Sequence, residues 1–232
     1  MNSDFLSLDV RNSVNPVSPK PGETNLLGAE ERETITSEPA RQDEAYVRGA
    51  YSYMSDAHMS PRLGIFAGYI LDVGAKRVLD LGCGPGDLCR FLGADVSYLG
   101  IDVSPTAIAE AKQRYGHRPL TEFVCGDFHS WAYDGPAFDT IVWAGISLGW
   151  RRSGKSERME EWFRVMNRLS MLLVKDGILL IECIREYGQF LPSLLADHVV
   201  LTGCDVECVY SEAHGSRCVR VVRLNPNDRR LS

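Results

Sequence analysis

Residues 78–88 read VLDLGCGPGDL. An apolar run carrying one acid, Asp80, opens into glycines at alternate positions, Gly82, Gly84 and Gly86, and a second acid, Asp87, follows at once. Glycines at the end of a strand let the backbone approach a ligand closely and adopt angles closed to other residues, and a following helix offers free N–H groups. A dinucleotide site would show G-x-G-x-x-G, with the helix facing a pyrophosphate. The spacing here is G-x-G-x-G, and acids at 80 and 87 are unwelcome beside pyrophosphate but suit a cation or an ammonium group. The loop therefore favours a ligand with an amino-acid end. Asp102, closing "YLGID", is the second chemically pointed residue, because a carboxylate at the C-terminal end of a parallel strand can accept two hydrogen bonds from a vicinal diol. Ser104 already stands at the N-cap of the helix that opens with Pro105, which leaves Asp102 to the ligand.

These residues need a scaffold of alternating strands and helices, and the sequence supplies one. Apolar runs and helical periodicity predict strand 77–81, a helix from about 87, strand 97–101, helix 105–115, strands 121–125 and 138–143, helix 157–173, strand 177–184 and helix 188–199. Near-continuous apolar strands such as "TIVWAG" and "GILLIECI" indicate burial on both faces, as in a parallel sheet covered by helices. Upstream, Ser60 and Pro61 open a helix whose apolar positions Leu63, Phe66, Ala67, Ile70 and Leu71 recur at helical spacing. Downstream, "VECVYSEAHGSRCVRVVRL" reads as an antiparallel hairpin turning at His214-Gly215.

The 232 residues suit one domain with an appendage. Residues 1–42 are poor in large apolar side chains and are read as a flexible tail, with a pocket lid or partner-binding arm as the other reading. Residues 43–75 form a helical lid and 76–232 the main domain. The formal charge of −6 is concentrated in residues 1–44, so the remainder is nearly neutral and lacks the broad positive field of non-specific nucleic-acid binding. Seven cysteines with no C-x-x-C pair indicate neither a disulfide framework nor a zinc ribbon. With no leader pattern and no long apolar stretch, the expectation is a soluble, cytoplasmic protein without a metal, monomeric or homodimeric.

Over residues 76–184 the chain resembles the class I S-adenosylmethionine-dependent methyltransferases. "VLDLGCGPG" is similar to that family's first motif, whose glycine loop holds the methionyl part of the cofactor and whose acid, here Asp80, orders the loop and the amino group; Cys83 falls within that loop. "YLGIDVSPTAIAEAK" resembles the second motif, which implies Asp102 at the ribose hydroxyls and Val103 beside the adenine. "FVCGDF" resembles the third, which implies Asp127 at the adenine amine and Phe128 on its ring face. "FDTIVWAGISL", with Trp143, resembles the fourth segment. "LLVKDGILLIEC" resembles the L-K-P-G-G-x-L stretch, with Asp176 in place of the proline. The resemblance implies a Rossmann-like seven-stranded α/β sheet of order 3-2-1-4-5-7-6, its hairpin at one edge.

Methyl transfer from a sulfonium is an in-line displacement, so the protein has to align the acceptor, exclude water and remove a proton where the acceptor needs it. A conspicuous triad is not expected. Ligands in open α/β sheets lie beyond the carboxyl ends of the strands, which nominates Tyr51, Tyr53, Trp150 and Arg151 for the acceptor pocket, with Tyr46, Met54 and Tyr187 as further wall. Candidate bases are His58, His129 and Tyr187. The basic run Arg151, Arg152, Lys155 and Arg158 reads either as a solvated loop or as a clamp for a carboxylate or phosphate. Gly149 and Trp150 stand where many relatives carry a His pair or Asn, so no base is borrowed from those relatives.

The leading reading is methyl transfer to an O or N atom of a small molecule. An RNA or protein methyltransferase is the alternative among enzymes, though "WAGI" replaces the N-P-P-Y type tetrad that often marks RNA base methylation. A SAM-binding scaffold acting through a partner, and a nucleotide-dependent oxidoreductase, are the readings from other classes.

Overall fold

The computed structural model describes residues 39–52, 60–144, 155–184, 205–211 and 217–223. Helices α1 (Pro39–Val47) and α2 (Ser60–Asp72) precede strand β1 (Arg77–Leu81). Strand β2 (Ser97–Asp102), helix α3 (Pro105–Tyr115), strands β3 (Thr121–Cys125) and β4 (Phe138–Ala144), helix α4 (Lys155–Leu172) and strand β5 (Leu173–Ile184) follow. Strands β6 (Asp205–Ser211) and β7 (Arg217–Arg223) complete a sheet of order β3-β2-β1-β4-β5-β7-β6. The first five are parallel and β7 runs antiparallel to both β5 and β6. This is the sheet order that the resemblance implies.

Strand alternation sorts the core into two faces. Leu79, Leu81, Leu99, Ile101, Ile141 and Trp143 pack with Trp162, Val165, Met166 and Leu169 of α4. On the other face Val78, Tyr98, Val142, Ile178 and Leu180 pack with Leu63, Phe66 and Ile70 of α2 and Ile108 and Ala111 of α3. Asp80 falls between Leu79 and Leu81, so its side chain belongs to the α2 face. The sheet order puts β1 at the centre, between β2 and β4, and the crossovers reverse direction there. Such a switch point is where an open parallel sheet leaves a crevice.

Three local features differ from the sequence expectations. The helix expected from about 87 is a five-residue 3-10 turn, Asp87–Phe91. Gly86 and Gly93 bracket this stretch and leave six residues between them, less than two turns of α-helix. The Arg118 guanidinium seals the end of this turn by donating to the carbonyls of Cys89 and Leu92. Strand β5 begins at Leu173 rather than at 177, because its pairing with β4 jumps from Phe138↔Leu173 to Thr140↔Ile178. Within that irregular stretch Asp176 has φ 66, a left-handed angle that proline cannot adopt and aspartate tolerates, which accounts for its place in the L-K-P-G-G-like segment. Finally, α1 starts at Pro39, inside the stretch read as a tail, because Asp43 fastens it to α3. One Asp43 carboxylate oxygen accepts from the Ser104 hydroxyl at 2.6 Å and from the Thr106 N–H at 2.9 Å. The expected helix 188–199 and the hairpin turn at 214–215 lie outside the described residues.

Gly86 shows how tightly the loop is packed. It has φ 77, and a Cβ added there would lie 2.8 Å from the Phe123 ring. Gly86→Ala is expected to cost about 3 kcal/mol, combining the left-handed strain with overpacking. Urea unfolding measures it, and a loss below about 1 kcal/mol would mean that the loop and Phe123 yield readily.

Candidate functional site

The glycine loop leaves β1 and folds back over the end of β2. The N–H groups of Gly82 and Cys83 both donate to the Ile101 carbonyl, at 2.8 and 3.1 Å. Gly82, Gly84 and Gly86 all have positive φ. Asp102 ties the loop down, one carboxylate oxygen accepting from the Gly84 N–H and the other from the Ser104 N–H, each at 2.9 Å. Ser104 is the N-cap of α3, its hydroxyl oxygen accepting from the Ala107 N–H at 3.1 Å. The loop, the end of β2 and the start of α3 therefore converge on one buried carboxylate. Burial raises its pKa above the ordinary aspartate value, opposed by the backbone N–H groups it accepts from.

Asp80 is the second buried acid. The Tyr98 hydroxyl donates to it at 2.6 Å, and Tyr98 itself packs edge-on against Phe123. Burial pushes the Asp80 pKa up to about 7, against the Tyr98 hydrogen bond and the nearby Arg62 charge, which lower it. Burial likewise raises the Cys83 thiol well above its usual value and the Cys89 thiol to about 12, so neither is a ready nucleophile.

Between α1, α2 and the loop lies a cavity of about 60 Å³. Asp80, Gly82, Cys83 and Gly84 form its floor, Tyr46 and Tyr51 its lid side, Arg62 and Leu63 the α2 side, and Val142 and Ala144 the end of β4. The Tyr46 and Tyr51 rings lie 4.7 Å apart. The Tyr51 hydroxyl donates to the Gln42 side-chain oxygen at 2.7 Å, and the Tyr46 hydroxyl lies 2.8 Å from where a Gly84 Cβ would stand. Arg62 donates to Glu182 at 2.8 Å, and both are buried.

The structure thus gathers Asp80, Gly82, Cys83, Gly84 and Tyr51 around one cavity. Asp102 lies directly behind the loop, beside half-buried Val103. Gly86 lies behind the cavity against Phe123 and Tyr115. Asp127 accepts from the His129 N–H at 2.9 Å, within its own turn. Phe128 is buried in the α4-side core, 6.1 Å from Trp143 and 4.1 Å from the exposed His129 ring. Trp143 stacks 6.0 Å from Trp162, turned by strand alternation away from the cavity wall that Val142 and Ala144 form. His58, Tyr53, Trp150, Arg151 and Tyr187 lie outside the described residues. Sequence reasoning passed over Arg62, Tyr98 and Glu182, although an acid inside the apolar run "GILLIECI" is a legible sign of a buried partner.

A parallel switch-point crevice, a G-x-G-x-G loop and an acid closing β2 define the fold of the class I S-adenosylmethionine-dependent methyltransferases. Residues 78–168 match the model of a family described as "Methyltransferase domain". The chain is 34% identical over 113 residues to a trans-aconitate 2-methyltransferase of Paracidovorax citrulli, covering 47% of this chain and 38% of that protein. It is 31% identical over 111 residues to a demethylmenaquinone methyltransferase of Thermotoga maritima, covering 46% of each. The chain therefore spans less than half the length of these curated relatives. Among solved structures, an S-adenosylmethionine-dependent methyltransferase from Clostridium acetobutylicum superposes with TM-score 0.61 at 13% identity, over 78% of this chain and 99% of that one. The N-methyltransferase NodS of Bradyrhizobium japonicum, in complex with S-adenosyl-L-homocysteine, gives 0.58 at 17% identity, over 76% and 91%. Residues 78–168 thus match a methyltransferase domain, on a fold shared with S-adenosylmethionine-dependent methyltransferases.

The raised Asp80 pKa has a consequence for the free protein. The protonated acid favours the folded state, an advantage complete below the unfolded value near 3.8 and gone above about 7. Between pH 5 and pH 8 the wild type is expected to lose about 2 to 3 kcal/mol more stability than Asp80→Asn. Urea unfolding at the two pH values measures this, and identical losses would mean that Asp80 is ionised throughout.

Proposed function

We propose that the protein binds S-adenosylmethionine across the end of the sheet and transfers its methyl group to an O or N atom of a small-molecule acceptor. The observation that carries the reading is the pair of buried carboxylates on either side of a left-handed glycine loop. Asp80 suits an ammonium group and Asp102 a vicinal diol, and one ligand with both, joined through a sulfonium, answers the whole arrangement. The loop is also a cradle, since a Cβ at Gly84 would collide with Tyr46. When bound, the cofactor supplies an electrophilic methyl group on a sulfonium.

The residues of the chain do the remaining work. Gly82 and Gly84 give close backbone approach to the methionyl arm, and Asp80 faces the amino group. Asp102 holds the ribose hydroxyls while it keeps the loop in place, with Val103 beside the adenine and Asp127 toward its exocyclic amine. Phe128 and Trp143 back the adenine side from within the core. Tyr46 and Tyr51 close the cavity from the α1 side and exclude water, which strengthens every charge interaction beneath them. For an acceptor that must lose a proton, His58, His129 and Tyr187 remain the candidate bases, with Tyr53, Trp150 and Arg151 in the acceptor pocket.

A small acceptor accords with the near-neutral charge of residues 45–232. Trans-aconitate and demethylmenaquinone, named for two relatives, are themselves small molecules. No helix among the described residues is long and apolar enough to cross a membrane.

Calorimetric titration with S-adenosylhomocysteine, with NADH in parallel, tests the reading. Asp102→Ala is expected to weaken homocysteine-ligand binding about a hundredfold, the worth of two hydrogen bonds to a charged group. An unchanged dissociation constant would remove Asp102 from the site, and binding of NADH alone would replace the cofactor.

A further inference from the structure

Asp80 is held from behind, by a strand that does not reach the cavity with this side chain. Tyr98 of β2 is 2% exposed and is not among the residues lining the cavity, yet its hydroxyl donates to one Asp80 carboxylate oxygen at 2.6 Å. In the β1–β2 register Val78 stands opposite Tyr98 and Asp80 opposite Gly100, so Tyr98 reaches the acid along the diagonal. Gly100 has no side chain to block that path, and a Cβ there would meet the Cys83 sulfur at 2.8 Å and the Phe123 ring at 3.0 Å. Phe123 of β3 meets the Tyr98 ring edge-on and also presses against Gly86. Two stacked layers of aromatic side chain therefore back both ends of the glycine loop. Resting on the cofactor reading above, we propose that Tyr98 acts through Asp80 as a positioning residue: its hydroxyl, donating from the closed side, steadies the carboxylate in the charged form that the ligand's ammonium group needs.

A phenol hydroxyl in an apolar core is costly unless it finds a partner, and an aliphatic side chain would fill a strand face packed by α2 and α3 without that cost. The partner is Asp80, at the separation of a hydroxyl on an ionised carboxylate. A donor to the charged form favours that form, and a neutral acid would offer an ammonium ion no opposite charge. Among the groups that oppose burial at Asp80 the Tyr98 hydroxyl acts most strongly, ahead of Arg62 of α2, while Asp102 at the end of β2 works the other way. Arg62 is itself bonded to Glu182 of β5. The Cys83 thiol of the loop, the Cys89 thiol of the 3-10 turn and the Tyr46 phenol of α1 are all raised by burial and stay neutral. From β4 only the apolar Val142 and Ala144 line the cavity. Burial and the Asp80 charge hold the Tyr98 pKa well above its ordinary value, so Tyr98 remains a donor across the neutral range.

The test is calorimetry at pH 6 and pH 8.5 with S-adenosylhomocysteine and with 5′-methylthioadenosine, which lacks the ammonium group. Tyr98→Phe keeps the ring against Phe123 and removes only the donor, so Asp80 is expected to hold its proton to about one pH unit higher. The variant is expected to bind S-adenosylhomocysteine about tenfold more weakly than wild type at pH 6 and at most about threefold more weakly at pH 8.5, where Asp80 is mostly ionised in both. Binding of 5′-methylthioadenosine is expected to stay within about twofold of wild type at both pH values. In an Asp80→Asn background, Tyr98→Phe is expected to change S-adenosylhomocysteine binding by the same factor at pH 6 and pH 8.5. An unchanged affinity, a loss of equal size at both pH values, or a loss shared by 5′-methylthioadenosine would overturn the assignment by making Tyr98 a packing residue. A pH-dependent loss that persists beside Asp80→Asn would overturn it too, because the tyrosine would then act through another group. Failure of wild type to bind S-adenosylhomocysteine would instead overturn the cofactor reading on which the assignment stands.

Discussion

The Asp102 carboxylate is the interaction on which the site depends. Its two oxygens accept the N–H groups of Gly84 and Ser104, so one side chain at the end of β2 fixes both the ligand loop from β1 and the start of the next helix. The order of strands makes this possible, since β1 and β2 are parallel neighbours and end side by side. Gly100, within β2, leaves room for it. A Cβ there would sit 2.8 Å from the Cys83 sulfur and push the loop outward. Asp43 extends the same arrangement by joining α1 to Ser104 and Thr106. A chain of short polar contacts therefore runs from the lid through the helix cap to the loop.

Much of this was legible in the sequence because it rests on pattern. Apolar runs gave the strands and the glycine spacing located the loop, while the Ser-Pro pairs opened both of their helices. The parts that were not legible depend on distance in space. Tyr98 reads as an ordinary strand aromatic, and its hydroxyl becomes significant only because β2 pairs with β1 in the register Asp80↔Gly100. Arg62 looks like a surface charge until α2 is laid across the sheet, and Glu182, though its apolar run marks it as buried, has no visible partner in the sequence. The 3-10 turn after the loop reads as a helix from its apolar spacing, whereas the glycines at 86 and 93 on either side leave too few residues for one. Trp143 was nominated with the fourth motif, yet a period of two placed its neighbours Val142 and Ala144, and not its own ring, at the cavity.

Burying several charges beneath a loop shapes the free protein. Asp80, Asp102 and Glu182 are all buried, and Arg62 is the buried cation among them. Burial raises the pKa of both aspartates, so taking up a proton relieves part of the excess negative charge. A cationic ligand would relieve it better. Among the described residues, the balance of these buried charges shapes the site as much as its walls do.

The Arg62–Glu182 contact also joins two points 120 residues apart in the chain. During synthesis the guanidinium is made on the order of ten seconds before the carboxylate that neutralises it, at ordinary rates of chain growth. Strands β1 to β4 can emerge and pair in that interval, but Glu182 reaches Arg62 only when β5 leaves the ribosome. A nascent chain stopped before β5 would carry a complete glycine loop but lack the carboxylate to which Arg62 donates across the sheet.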